Sequence, residues 1–246
     1  MAKPSKQQDR RAVVEQMRRE QQRAEKKRTY MLIAVVAVVA LVIIGAGAYP
    51  LISDSRNKSK LAKQDLASLG VSAAAAKCTA PAAENASGNN DHRPEGSNLA
   101  YTDSPPATGP HYPVTAPMTR KFYTAADRPQ LGYLVHNLEH GYSILWYDQT
   151  VAKDDKQLTA VKAIAEKFTG TEMQDKFIAA PWTSDDGDPF PNGAHVALTH
   201  WSMGGTQGNP KGQHGITQYC AQPSGEAVST FVKDYPYTDS PEPGAM

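Results

Sequence analysis

The sequence predicts an α+β protein: one N-terminal transmembrane helix, then a small mixed β-sheet domain with two covering helices and long Pro/Gly-rich loops. Three observations carry this reading. The run from Tyr30 to Ile52, 23 residues, contains no charged side chain. Beyond it, short apolar segments of strand length are interspersed with two stretches of helical period. Fifteen of the eighteen prolines lie from Pro94 onward, so the later part of the chain is rich in loops.

Whole-chain averages exclude several classes. The 246 residues carry 26 Lys+Arg against 25 Asp+Glu, a net charge of +1. A mean hydropathy of −0.53 is far too polar for a multi-span transporter. The near-zero charge argues against a nucleic-acid binder, which carries a basic excess. Two cysteines cannot build a disulfide-dense miniprotein or a four-thiolate zinc site.

The balance is not uniform. Residues 1–29 hold ten basic and four acidic side chains, net +6, whereas residues 30–246 carry net −5. A helix rises about 1.5 Å per residue, so roughly 20 apolar residues cross a hydrocarbon core. Residues 30–52 have that length and read as a transmembrane helix. The basic excess before it places the N-terminus in the cytoplasm and the remainder outside the cell membrane. A cleaved signal peptide is the rival reading, with Ala46-Gly47-Ala48 as the cleavage site, but a 29-residue basic head is long for one. Within that head, Glu15 and Arg19 stand one helical turn apart, as in a solvated helix. Its basic side chains set orientation and could also meet anionic headgroups.

Residues 53–90 read as a stalk and flexible linker. Leu61, Leu66 and Leu69 suggest a short helix ending at Gly70, after which Ala, Asn, Gly, Ser and Pro dominate. Residues 91–246 are expected to form the globular domain. A short strand is expected near Gly132–His136. Gly141–Tyr147, Lys176–Ala180 and Ala194–Trp201 read as further strands. Asp155–Phe168 places Leu158, Val161, Ile164, Ala165 and Phe168 on one helical face, and Glu226–Tyr235 is a second helix ending before Pro236.

The blocks YTDSPPATGPH (101–111), LVHNLEHGYSILWY (134–147), FIAAPW (177–182), VALTHW (196–201) and FVKDYPYTDSPEP (231–243) resemble a bacterial family catalogued as domain of unknown function 3105. The resemblance covers residues 78–246. It implies a shared domain and carries no established activity.

Cys78 and Cys220 flank the domain. Outside a cytoplasmic membrane such a pair is expected to be bridged, stapling the linker to the folded body. No C-x-x-C spacing supports redox work. All seven histidines lie from residue 92 onward: His92, His111, His136, His140, His195, His200 and His214. Imidazole with carboxylate suits zinc, and imidazole with the thioethers of Met118 or Met203 suits copper. His136 and His140, four apart, share a face if the segment is helical, so His111, His136 and His140 form the candidate metal set.

The same stretch matches the H-x-x-E-H pattern of zinc peptidases, but a strand follows at once and no further ligand is spaced for it. No catalytic residue stands out, and the chain reads as an accessory domain rather than an enzyme. Alternatively these histidines tie the Pro/Gly loops, with Glu139 bonded to His140. His195 and His200, five apart in a strand, fall on opposite faces. Gly204–Gly212 lacks the ending of a phosphate loop, and Ser184–Pro189 lacks EF-hand spacing. Two functions follow: a membrane-tethered copper- or zinc-binding domain, or a metal-free module docking on an envelope protein partner.

Overall fold

A computed structural model describes residues 6–88, 90–204 and 212–246, with side chains described from residue 13 to 42 and from 60 onward within those ranges. The chain divides into two compact units at Lys58/Ser59. The helix α1 spans Lys6–Ala62. Its predicted Glu15–Arg19 pair forms at 2.6 Å on the exposed surface. From Tyr30 to Val42 the large apolar side chains are exposed along the helix. Among the described residues no helix is long and apolar enough to cross a membrane. Residues 43–52 of the uncharged run lie outside the described side chains.

In the second unit one sheet organises the chain. Its strands are β1 (Ala82–Asn85), β2 (Ser143–Tyr147), β3 (Phe177–Pro181), β4 (Val196–Ser202) and β5 (His214–Cys220), in the order β1-β5-β4-β2-β3. Only the β2–β3 pair is parallel. Side chains alternate between faces along each strand. Leu145, Tyr147, Phe177, Leu198 and Ile216 therefore enter one core layer, and Ile144, Trp146, Ile178, Ala197 and Trp201 enter the other. Both faces are covered, which is why SILWY and FIAA are buried at every position.

The first face is covered by α4 (Asp155–Glu166) and α5 (Gly225–Asp234), the two expected helices. Asp154 caps α4 by accepting from the Lys156 and Gln157 N–H groups, and Ser224 caps α5 through the Ala227 N–H. A one-turn helix, α3 (Gln149–Lys153), links β2 to α4.

The second face corrects the sequence reading. Residues 131–139 are not a strand but a helix, α2 (Leu131–Glu139), and it lies against the sheet with the Pro-rich loops. Leu134, Val135 and Leu138 supply its buried stripe at steps of one and three residues. Gly132 permits the loop contact, because a Cβ there would stand 2.7 Å from Leu99 Cδ1 and Tyr112 Cδ2.

The linker expectation is also corrected in part. Within it, β1 pairs with β5, and the Val71 and Gly225 N–H groups bond Pro223 O and Leu69 O respectively. The helix expected to end at Gly70 stops at Ala62, the end of α1, and a 3₁₀ turn, Leu66–Ser68, follows. Cys78 and Cys220 form a disulfide, as the sequence suggested. Of the Gly204–Gly212 loop, residues 205–211 lie outside the described residues.

Candidate metal centre

Two segments converge on α2. The loop ending in Gly109-Pro110-His111 is tied internally by Tyr101, whose hydroxyl donates to Pro110 O at 2.7 Å. It is joined to the segment around His92 by a β-bridge: Arg93 N–H donates to His111 O at 2.7 Å, and His111 N–H to Asp91 O at 3.1 Å. The following loop is clamped to α2 by Asn137, whose side-chain amide donates to Ala116 O and accepts from Ala116 N–H. These backbone ties bring His92, His111 and His136 together, with ring centroids 4.7 to 5.0 Å apart.

Glu139, one turn beyond His136 on the same helix, completes the group. One ligand atom from each of His92, His111, His136 and Glu139 lies within 4.8 Å of every other. His111 and Glu139 have fully buried side chains, whereas that of His92 is 38 % exposed. His111 Nδ1 stands 2.8 Å from Gly109 O. A carbonyl can only accept, so the proton resides on Nδ1 and leaves a lone pair on Nε2 in the neutral ring. Nε2 stands 2.8 Å from Glu139 Oε2, an ion pair when the ring is doubly protonated. Glu139 Oε1 accepts from the Asn90 N–H at 3.0 Å.

These four side chains could hold a metal ion. Without the metal, a second proton on His111 pairs it with the Glu139 carboxylate, and a bound cation would take that proton's place. The outer contacts, a carbonyl behind the imidazole and an amide behind the carboxylate, are those that orient metal ligands. Electrostatics set the charge of each of these groups. Burial, followed by the neighbouring rings of His140, His111 and His92, pushes His136 down to about 4, so it is neutral near pH 7. Burial also works against a charged Glu139, but His111 and the Asn90 N–H outweigh it and the carboxyl titrates below its usual range. His111 moves up despite its burial, because Glu139 and the Gly109 carbonyl favour the proton.

Acid should therefore destabilise the metal-free domain. An unfolded histidine gains its proton near 6.5, so between pH 6.5 and about 4 the unfolded chain binds more protons at position 136 than the folded one. Stability falls as pH drops through that window, by about 3 kcal/mol from His136 alone. His140 and His200, both lowered first by burial, act in the same direction, and His111 opposes them. Thermal unfolding of chelator-treated protein should show a falling Tm from pH 6.5 to 4.5; an unchanged Tm would refute the assignment.

The candidate set from the sequence is thus partly reordered. His111 and His136 meet as expected. The ring of His140 packs on His136 at 4.3 Å but turns its Nε2 to Glu242 Oε2 at 3.4 Å, outside the four-residue group. Position 140 caps the helix, and Gly141 (φ +92°) follows with the backbone oxygen of Tyr237 only 2.4 Å from where a Cβ would sit. The chain tail therefore occupies that side. Glu242 N–H donates to Glu139 O, and Lys176 Nζ donates to the carbonyls of His140, Pro243 and Ala245 at 2.7 to 2.9 Å. The expected Glu139–His140 pair is replaced by Glu139–His111.

His195 and His200 serve structure. His195 Nδ1 meets Asp148 Oδ2 at 2.8 Å, and buried His200 bridges Tyr142 O and Asp239 O. Of the thioethers, Met118 packs against the second core layer and Met203 is exposed. In the 184–189 loop, Asp186 is taken by Arg128 and Thr183. His92 was missed as a member of the cluster. Its only signal was its residue type, because it lies on a loop that backbone pairing carries to His111.

Fold and site together define a class: a mixed α+β domain with three imidazoles and one carboxylate gathered beneath its loops. The family model for "Protein of unknown function (DUF3105)" matches residues 92–246, well over half of the chain, and the protein belongs to that family. The match begins at His92, and so takes in all four members of the cluster. No curated protein and no solved structure matches the chain.

Proposed function

We propose that this protein is a membrane-anchored domain that binds one divalent transition-metal ion, zinc or copper(II), through His92, His111, His136 and Glu139. The observation carrying the proposal is the convergence of four donor atoms within 4.8 Å, with the His111 and Glu139 side chains fully buried. Three nitrogens and one oxygen suit Zn²⁺ in tetrahedral coordination and Cu²⁺ in a tetragonal one. The proposed anchor is residues 30–52, with a cytoplasmic N-terminus and an extracytoplasmic domain. The uncharged run, the net +6 before it and the exposed apolar side chains from Tyr30 to Val42 support that placement. The Cys78–Cys220 disulfide suits an oxidising compartment.

Equilibrium titration of the full chain in detergent tests the metal reading. One equivalent of Zn²⁺ or Cu²⁺ should bind with submicromolar affinity. Binding no tighter than micromolar for both ions would overturn it. Protease accessibility of residues 59–246 from the outer face of intact cells tests the placement; protection of that segment would contradict it.

A further inference from the structure

We propose that His92 is the exchange ligand of this centre, so that the ion enters and leaves past it and can be handed to an acceptor's donor groups. The inference rests on the metal-binding reading above. The other three ligands are locked. His111 is held by Gly109 O, Glu139 by the Asn90 N–H, and His136 lies on α2, which Asn137 clamps to the loop at Ala116. All three residues are buried.

His92 differs in exposure and in its distance from Glu139. Its side chain is 38 % exposed, and its Nε2 stands 4.0 Å from Glu139 Oε2, against 2.8 Å for His111 Nε2. Its imidazole makes no side-chain hydrogen bond among the described residues. Only the backbone is fixed, by the two hydrogen bonds that flank it and reach His111. The ring can therefore turn away without disturbing the segment that carries it. On the opposite side, access is blocked by His140 packed on His136 and by the tail that Lys176 holds.

An ion in this cage thus has three buried donors behind it and one movable donor towards solvent. Transfer then proceeds by substitution at one coordination position. An incoming imidazole, thiolate or carboxylate displaces His92, and the remaining bonds pass over in turn, with no change in oxidation state. A purely structural zinc site is closed on all sides by ligands of similar fixity. Affinity differences among variants of one site fall mainly on the dissociation rate, so His92 should govern release.

The test loads the full chain in detergent with Zn²⁺, then follows transfer to an excess of a chromophoric chelator by stopped-flow absorbance. His92→Ala and His92→Gln are compared with wild type, each first matched for thermal unfolding. Both variants should still bind one equivalent, and release should be accelerated at least about tenfold. Wild-type release should rise with chelator concentration. Release at the wild-type rate in both folded variants, or complete loss of stoichiometric binding in both, would overturn the exchange role while leaving the metal site intact. Absence of Zn²⁺ binding in wild type would instead remove the underlying reading, and this proposal with it.

Discussion

Glu139→Gln is expected to weaken Zn²⁺ binding by about 60-fold. A four-ligand zinc site is worth on the order of 10 kcal/mol, so one good ligand accounts for about a quarter of that, and each 1.4 kcal/mol is tenfold. The carboxamide keeps the shape and can still accept from the Asn90 N–H, but it loses the charge that faces His111 Nε2. The metal-free variant should fold, so the comparison isolates the ion. Thermal unfolding reports it directly. An ion at 100 times its Kd raises stability by about 2.7 kcal/mol, and wild type should show that rise while Glu139→Gln does not. Equal Zn²⁺-dependent stabilisation of both proteins would exclude Glu139 as a ligand.

Removing the disulfide should have an effect of similar size on the fold itself. Cys78 and Cys220 are separated by 142 residues, and closing so long a loop restricts the unfolded chain by about 5 kcal/mol in the entropy model. The native side of the balance is local. The bridge fastens residues 71–79 beside β5, where Thr79 N–H donates to Tyr219 O and Ala221 N–H to Ala76 O. Strand β1, exposed at all four positions, has little apolar surface of its own to hold it. Chemical denaturation of the Cys78→Ala/Cys220→Ala double variant should show a loss of about 3–5 kcal/mol, with β1 the first segment to lose hydrogen-exchange protection. A loss below about 1 kcal/mol would contradict this account.

What the sequence revealed of the fold follows from which forces placed each element. SILWY and the Leu158/Val161/Ile164/Ala165 face were legible because burial imposes their pattern. The strand β1 was not, because Ala82–Asn85 joins the sheet by backbone pairing and leaves no apolar period. Nor was β5, where Gly215, Thr217 and Gln218 interrupt the alternation. The helix α2 escaped notice because it spans only nine residues, with a glycine in its first turn that serves contact with Leu99 and Tyr112.

The site shows the same division. His111 and His136 could be nominated by residue type. Spacing favoured His140 as the third ligand, since positions 136 and 140 do share a face. Its Nε2 is turned instead to Glu242, brought in by a tail anchored on Lys176, and no local pattern encodes that. Glu139 has the equally good spacing of three from His136, and the convergence of His111 and His92 selects it. That convergence is a tertiary fact, set by the β-bridge between their backbones.

The central claim is that one ion sits among three imidazoles and one carboxylate. X-ray absorption at the zinc edge on the Zn²⁺-loaded full chain measures this most directly. The account predicts four light-atom neighbours at about 2.0–2.1 Å, with the outer-shell signature of imidazole rings, lost in a His111→Ala/His136→Ala double variant. A hydrated ion without imidazole scattering, or a spectrum unchanged in that variant, would contradict it.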